Sequence, residues 1–405
     1  MLFNLLLLVL VGCGEKDKPA DEEVETASRS VLVYMASNNS LYSYAELNIA
    51  ELVENYSSDD MNGGNFIVYH RGVGTELPRL LKIDNNGSAT VVKTYESHNS
   101  AEKETLQTVI ADFKSLFPAD SYGCVFWSHG SAWLPKTYFG SAKSVSSYSS
   151  MLYNDEQSTQ EGLDITTHPL YQYIRNVEPT VSVDTKAFGQ DGTDWFNLED
   201  LADGVGTDAF DFIIFDACYM ASIEVAYEFR NKADYLLAAP SEVLGDGLDY
   251  STLAKNLLST SSIESFLTQT AKDYSNKYSE TTISVIDLNY MESTFASEYK
   301  TIMRTVADKV GTATPSTVQR YDRYSDHVLF DLVDYMSYIT DDITKAKVES
   351  LVDELILYKF ATDSFLYIPI KSFSGISSYI PFEYYTEVTP FYKETRWWID
   401  ILYMP

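Results

Sequence analysis

Largely apolar runs, each short enough to be a single strand, recur along the first half of the chain and are separated by amphipathic stretches. These runs occupy residues 30–37, 65–72, 123–130, 209–220 and 235–243. Short apolar runs are typical of strands that are buried on both faces, as in a parallel sheet. We therefore predict five buried strands.

The stretches between these strands carry helix and turn signals. "NNSLYSYAELNIAELVENY" has apolar residues at helical spacing behind an Asn-Ser N-terminal cap, and residues 101–119 form an amphipathic pattern that ends at Pro118. Two extended runs around Asn85, Asn86 and Gly87 predict a hairpin. The alternation of strands and helices predicts an α/β fold with a largely parallel central sheet.

The chain divides into segments of different composition. Its 405 residues exceed the size at which a single core stops growing. We predict a main domain at residues 29–250, with an insertion rich in Ser, Tyr and Thr at 137–186, and a mainly helical C-terminal subdomain at 251–405. Long segments such as this insertion are usually functional or disordered. Within the subdomain, "TTISVIDL" and "SFSGISSYIPF" predict strands.

The N-terminus is apolar up to Cys13 and then turns abruptly polar. The apolar run is shorter than the ~20 residues that span a bilayer, and its length suits a signal peptide. Leu10–Cys13 resembles a bacterial lipobox, so we expect lipidation of Cys13, residues 14–28 as a disordered tether, and a lipid-anchored location in the cell envelope, at the outer membrane or cell surface. An ordinary secretory signal, giving a secreted protein, is the alternative.

The charge of the chain is strongly negative. Fifty-nine acidic residues outnumber 29 basic ones, giving a formal net charge of -30. Such a surface repels phosphate backbones, so we expect no nucleic-acid partner. The acidity suits cationic partners or calcium, but the sequence contains no EF-hand loop, and calcium ligands cannot be named from it.

A histidine and a cysteine follow two of the predicted strands. The carboxyl ends of parallel strands meet at one edge of a sheet, so His129, after "VFWS", and Cys218, after "IIFDA", are expected to be neighbours. A nearby histidine converts a thiol into a nucleophilic thiolate. The N–H groups of Gly130 and Cys218 could form an oxyanion hole. Cys124 lies inside an apolar strand and is expected to be inert core.

A purely structural interpretation remains open for each of these residues. Cysteine is among the most buried residue types, and a single histidine at a strand end is more often structural than catalytic. The other four histidines show no ligand spacing and no pairing with cysteines, so a zinc site is not expected. They are His70, His98, His168 and His327.

Several motifs together resemble one known family. "FWSHGSAW" and "FDACYMAS", with "VLVYMASNNSL" and "APSEVLGDGLDY", are similar to the clostripain family of cysteine peptidases, which have the fold of caspases, legumains and gingipains. The similarity covers roughly residues 29 to 385. It implies a caspase-like α/β/α sandwich. The chain departs from the family in its Asn38-Asn39 turn, where relatives often have Asp, and in its long insertion.

The resemblance implies a role for each candidate residue. Cys218 would be the nucleophile, His129 the general base and acid, and Asp216 the floor of the S1 pocket, where a carboxylate prefers an Arg or Lys side chain. A helix or turn cap is the alternative for Asp216. Ser241 and Glu242 are weaker candidates for lining the cleft.

We therefore expect an exported cysteine endopeptidase that cleaves proteins or peptides after Arg or Lys and requires no cofactor for its chemistry. Calcium dependence is known in the family and is left open. Self-cleavage in the insertion is also expected, first at Lys143. The alternative function is a catalytically inactive surface lipoprotein that binds peptides or glycans.

Overall fold

A nine-stranded mixed sheet forms the centre of the molecule. The computed structural model describes residues 26–57, 62–134, 188–324, 327–382 and 388–403. Within these residues the strands are β1 (Ser30–Ala36), β2 (Asn65–Arg71), β3 (Arg79–Asp84), β4 (Ser88–Thr94), β5 (Tyr122–Trp127), β6 (Phe188–Asp191), β7 (Asp194–Phe196), β8 (Phe212–Asp216), β9 (Tyr235–Ala238), β10 (Thr282–Asp287), β11 (Phe330–Asp331), β12 (Ile356–Ala361), β13 (Ser364–Phe365), β14 (Ile368–Pro369) and β15 (Ser377–Ser378).

The sheet has a parallel centre and antiparallel edges. The strand order runs β12-β10-β9-β8-β5-β1-β2-β3-β4. The five central strands from β9 to β2 are mutually parallel. At one edge β3 and β4, and at the other β10 and β12, are added by antiparallel pairing between neighbouring strands. The five predicted buried strands are thus the parallel centre, and the predicted Asn-Asn-Gly hairpin joins β3 to β4.

Helices cover both faces of the sheet. They are α1 (Tyr42–Asn55), α2 (Lys103–Leu116), α3 (Leu198–Val205), α4 (Ile223–Phe229), α5 (Tyr250–Leu257), α6 (Ile263–Lys277), α7 (Leu288–Tyr290), α8 (Ala296–Thr305), α9 (Leu332–Ile339), α10 (Asp342–Leu355) and α11 (Thr389–Tyr392). Short π-helical turns occupy Met291–Phe295 and Trp398–Leu402, and 3-10 turns occupy Ala307–Lys309 and Pro315–Thr317.

Two cores flank the sheet because successive residues of a strand point to opposite faces. In β1, Leu32 and Tyr34 pack into the core that contains α2, α3, α4 and α8, whereas Val31 and Val33 pack into the core that contains α1, α5 and α6. All residues of β1 are buried. The expected caspase-like α/β/α sandwich is confirmed.

The segment after residue 250 contributes to this sheet as well as to the helical layers. Its strands β10 and β12 extend the sheet beyond β9. "TTISVIDL" forms β10 as predicted, but "SFSGISSYIPF" forms only the two-residue strand β15, which pairs with β11. The proposed domain boundary at 250 stays a prediction.

Several predictions concern segments outside the described residues. These are the signal peptide with Cys13, the insertion at 137–186, and residues 14–25 of the tether. At the tether's end, the Ala27 N–H donates to the Pro118 carbonyl at 2.9 Å. No helix in the described part of the chain is both long and apolar enough to cross a membrane.

Candidate active site

His129 and Cys218 follow two neighbouring parallel strands at the same sheet edge. Trp127, the last residue of β5, pairs in register with Asp216, the last residue of β8. His129 and Cys218 therefore each lie two residues beyond this pair. A β-carbon on Gly130 would lie only 2.5 Å from the Cys218 carbonyl oxygen and 3.0 Å from its nitrogen. Since no side chain fits there, glycine lets the histidine loop contact the cysteine main chain.

The Cys218 thiol contacts the loop that follows β9. The Val243 N–H donates to Cys218 Sγ at 3.3 Å, and the Val243 carbonyl oxygen lies 3.6 Å from the same sulfur. Tyr219, the next residue, has a positive φ of 66°, and its N–H donates to the Ser241 carbonyl at 2.8 Å. A non-glycine residue in this conformation costs about 1 to 3 kcal/mol and occurs preferentially at functional sites.

Cys124 has a different environment. It lies in the middle of β5, is fully buried in the core, and burial raises the pKa of its thiol well above the usual value. Neither it nor Cys218 forms a disulfide. Because the thiolate is the reactive form of cysteine, the contrast between Cys124, inside a strand, and Cys218, at a strand end, favours Cys218 as the nucleophile.

The His129 ring is held between a turn and a hairpin. Its Nε2 lies 2.9 Å from Ser40 Oγ, in the turn between β1 and α1. The Trp195 ring lies 5.9 Å away, centroid to centroid, at an interplanar angle of 31°. Burial lowers the pKa of His129 to about 4. The imidazole is therefore neutral near pH 7, the state in which it can accept a proton.

The β6–β7 hairpin fixes the main chain around His129. The Gly189 N–H donates to the His129 carbonyl at 3.2 Å, and the Gln190 N–H donates to Ser128 Oγ at 3.1 Å. The hairpin is anchored through Asp191, which forms a buried ion pair with Arg71 (Nε to Oδ2, 3.2 Å).

Further hydrogen bonds surround the Asp191 carboxylate. The Ser100 N–H and hydroxyl donate to its Oδ2 at 2.7 and 3.0 Å, and Asn38 Nδ2 donates to its Oδ1. Sequence analysis missed both this anchor and Ser40. The one signal in the sequence is the polar Asn-Asn-Ser turn after the first strand, and the sequence pattern predicts a helix cap there.

Asp216 is the last residue of β8, and its two carboxylate oxygens have different environments. Its side chain is buried, and Oδ2 accepts hydrogen bonds from the Leu248 N–H at 3.2 Å and the Tyr250 hydroxyl at 2.9 Å. Oδ1 is also buried but has no hydrogen-bond partner among the described residues. Burial raises the pKa of Asp216 to about 6, although both hydrogen bonds and Lys277 act in the opposite direction. One oxygen thus holds residues 247–250 in place, and the other has no hydrogen-bond partner in the described part of the chain.

Ser241 and Glu242 lie beside Cys218 and Tyr219, and both side chains are buried. Ser241 Oγ is 2.6 Å from Thr282 Oγ1, and Glu242 forms two hydrogen bonds with Arg323, at 2.6 and 2.8 Å. Because Val243 follows directly and contacts the thiol, these residues support the wall of the site. Their role in lining the cleft stays a prediction. No metal-binding group of three or more His, Cys, Asp or Glu residues occurs within the described ranges.

Comparison with known proteins decides the family. The sequence profile of the clostripain family matches residues 33–163 and 173–399. The chain belongs to this family. It is a clostripain-family cysteine peptidase, as the motifs around His129 and Cys218 predicted.

Solved structures of bacterial C11 proteases agree with this assignment. An inactive zymogen of a C11 protease from Parabacteroides distasonis is 27% identical, with a TM-score of 0.72 over 94% of this chain and 100% of that one. A secreted C11 cysteine protease from Bacteroides thetaiotaomicron, in complex with an irreversible peptide inhibitor, is 26% identical, with a TM-score of 0.69 over 92% and 98%. No curated protein sequence matches the chain.

Proposed function

We propose that this clostripain-family member hydrolyses peptide bonds after Arg or Lys, with Cys218 as nucleophile and His129 as general base and acid. The observation that carries the proposal is the close contact of Gly130 with the Cys218 main chain, at the shared end of β5 and β8. The Bacteroides relative bound to a peptide inhibitor supports peptides as the substrate class.

The chemistry follows from the groups present. The neutral His129 imidazole accepts the Cys218 proton, and the thiolate attacks the scissile carbonyl carbon. The Gly130 and Cys218 N–H groups stabilise the oxyanion. The protonated imidazole then donates its proton to the leaving amine, which departs as the C–N bond breaks. Water, deprotonated by His129, hydrolyses the thioester and restores the thiol.

Selectivity for basic side chains is proposed from Asp216. A buried carboxylate oxygen without a partner is unfavourable until a cation approaches it. An Arg guanidinium or Lys ammonium at the P1 position of the substrate would supply that cation and pair with Oδ1. The bonds to Leu248 and Tyr250 would hold the carboxylate in place meanwhile.

Export and maturation complete the proposal. We propose export, with lipidation at Cys13, supported by the N-terminal sequence and by the secreted Bacteroides relative. We also propose self-cleavage in the insertion, supported by the relative described as a zymogen. The dyad chemistry uses no cofactor. Calcium dependence is open and is measured by assaying activity with added calcium and with a chelator.

Paired cysteine variants test the nucleophile. Cys218→Ala is expected to lose turnover of a fluorogenic Arg or Lys peptide, about 10⁴-fold or more, because the dyad members act as a unit. Cys124→Ala should keep its kcat and lose only about 1 kcal/mol of unfolding free energy. His129→Ala should be as inactive as Cys218→Ala. The assay is run with and without a thiol alkylator, and the fold of each variant is checked by circular dichroism.

Two results would contradict the proposal. If Cys124→Ala is folded but inactive while Cys218→Ala still cleaves, the nucleophile is wrong. If the wild type cleaves no Arg or Lys peptide, with or without calcium, the inactive peptide-binding or glycan-binding lipoprotein becomes the better interpretation.

A further inference from the structure

We propose that Ser40 is a positioning residue of the active site, which holds Nε2 of His129 so that Nδ1 exchanges the proton with Cys218. The proposal rests on the proposed function, since it extends the dyad by one residue. Its starting point is the distance of 2.9 Å between Ser40 Oγ and His129 Nε2. The sequence pattern predicts a helix cap at Ser40, but α1 begins at Tyr42 with Leu41 as its N-cap.

The turn that carries Ser40 is fixed by the preceding residue. Asn39 Nδ2 donates to the Ala36 carbonyl at 2.9 Å and to the Gln190 carbonyl at 2.8 Å, and Asn39 Oδ1 accepts from the Leu41 N–H at 2.8 Å. Asn39 thus ties the end of β1 to the hairpin that also bonds the His129 carbonyl. Since both sides of Ser40 are anchored in this way, its hydroxyl is held at a defined place rather than on a mobile turn.

In the part of the chain that the structure describes, no charged group pairs with the His129 imidazole. Burial alone accounts for the lowered pKa of His129, with no contribution from a carboxylate or a cation. The acid on the hairpin, Asp191, is paired with Arg71, and the hairpin presents the Trp195 ring to the imidazole. Among the described residues, Ser40 Oγ is therefore the one side-chain hydrogen-bond partner of the ring.

The partner of one ring nitrogen determines the role of the other. When Ser40 Oγ accepts a hydrogen bond from Nε2–H, Nδ1 carries the lone pair and can take the thiol proton. When the hydroxyl donates to Nε2 instead, Nδ1 is already protonated and cannot act as a base. Productive catalysis thus requires the first arrangement. The Ser40 oxygen then also stabilises the imidazolium that forms after proton transfer, as an uncharged acceptor.

The test is the pH profile of Cys218 alkylation, measured by peptide mass spectrometry so that each cysteine is followed separately. Ser40→Ala is expected to move the acid midpoint of the alkylation profile upward by about half to one pH unit, because a hydrogen bond to the imidazolium is lost. It should also lower kcat by about ten-fold with KM within two-fold of the wild type. Because Ser40 is exposed, the variant should fold.

Two controls separate positioning from a general effect on the turn. Ser40→Thr keeps the hydroxyl and should restore both the wild-type midpoint and most of kcat. Ser43→Ala removes a serine at the start of α1, on the same segment, and should match the wild type. Melting temperatures are compared for all variants, and a shared loss of stability without a midpoint shift would contradict the proposal.

The experiments give different results if the proposed peptidase activity is wrong and if the role of Ser40 is wrong. A wild type without turnover of basic peptides overturns the proposed function, and the alkylation profiles still test Ser40 in that protein. A Ser40→Ala variant whose alkylation midpoint and kcat both equal those of the wild type overturns the role of Ser40 and leaves the dyad standing.

Discussion

At the scale of residues, the two carboxylate oxygens of Asp216 have different environments. Oδ2 holds the loop through Leu248 and Tyr250, while Oδ1 is buried without a partner in the described part of the chain. Burial raises the pKa to about 6. A carboxyl whose pKa is raised on folding stabilises the folded state below its ordinary pKa, and this contribution is lost as the pH rises through the folded value. At pH 7.5 the charged group is therefore a cost to stability.

Asp216→Asn is expected to separate function from stability. Specificity for Arg or Lys peptides should fall by about 30-fold to several thousand-fold, equivalent to about 2 to 5 kcal/mol for a lost desolvated charge partner. The free energy of unfolding at pH 7.5 should stay equal or rise, by up to about 3 kcal/mol, because the buried charge is removed. Urea unfolding at pH 7.5 and pH 4 measures this, and the gain should disappear at pH 4.

Two peptides that differ only in Arg or Gln at the P1 position measure how selectivity depends on the protonation of Asp216. The ratio of kcat/KM for an Arg peptide to that for the corresponding Gln peptide should fall as the pH drops below about 6, because protonated Asp216 no longer attracts the cation. In Asp216→Asn the ratio should be low and independent of pH. A ratio that changes in the same way in both proteins would show that Asp216 is only a loop cap.

At the scale of elements, a buried ion pair anchors the β6–β7 hairpin. Asp191 and Arg71 are both buried, and the hairpin holds the Ser128 and His129 backbone. Removing one charge of a buried pair leaves the other without compensation. The geometry around His129 therefore depends on a carboxylate that never touches the imidazole.

Asp191→Asn should lower the free energy of unfolding by about 3 kcal/mol, because it leaves the Arg71 guanidinium buried without its counter-charge. It should also reduce kcat more than KM, since the His129 loop loses its anchor. Asp194→Asn, at the exposed end of the same hairpin, is the control and should change stability by about 0.5 kcal/mol or less. Equal urea midpoints for the two variants would show that the ion pair does not fix the hairpin.

Elements also show where sequence reasoning succeeded and where it failed. The central strands were predictable because they are buried on both faces, and the proximity of the His129 and Cys218 segments because each follows one of those strands. β6 and β7 were missed because strands as short as Phe188–Asp191 and Asp194–Phe196 carry no periodic pattern. Asn39 and Ser40 are residue types that are common at helix N-caps, so the sequence favours that interpretation. Their actual partners, the Gln190 carbonyl and His129 Nε2, come close only in the folded protein.

At the scale of the whole molecule, the sheet joins the two parts of the chain on either side of the insertion. β5, which precedes it, pairs with β8, which follows it, along Gly123–Trp127 and Phe212–Asp216. The Arg71–Asp191 ion pair also links the two parts. Both strands are fully buried in the paired region. A chain cut in the insertion should thus remain one folded molecule.

Self-cleavage of the wild type tests this arrangement. If the chain cleaves after Arg or Lys, as we propose, it meets four such sites between His129 and Cys218. The first to be expected is Lys143, which lies outside the described residues. The basic residues of this segment are Lys136, Lys143, Arg175 and Lys186. Mass spectrometry under denaturing conditions should find two fragments in the wild type and an intact chain in Cys218→Ala, whose nucleophile is absent.

The two fragments should elute together in gel filtration and separate only in denaturant, because separation would expose the buried edges of β5 and β8 and leave their hydrogen bonds unmade. Lys143→Ala tests the first site and should slow fragment formation without changing the association of any fragments formed elsewhere. Fragments that appear equally in Cys218→Ala would assign the cut to another protease. If the wild type is active and its chain remains intact, activity does not require cleavage of the insertion.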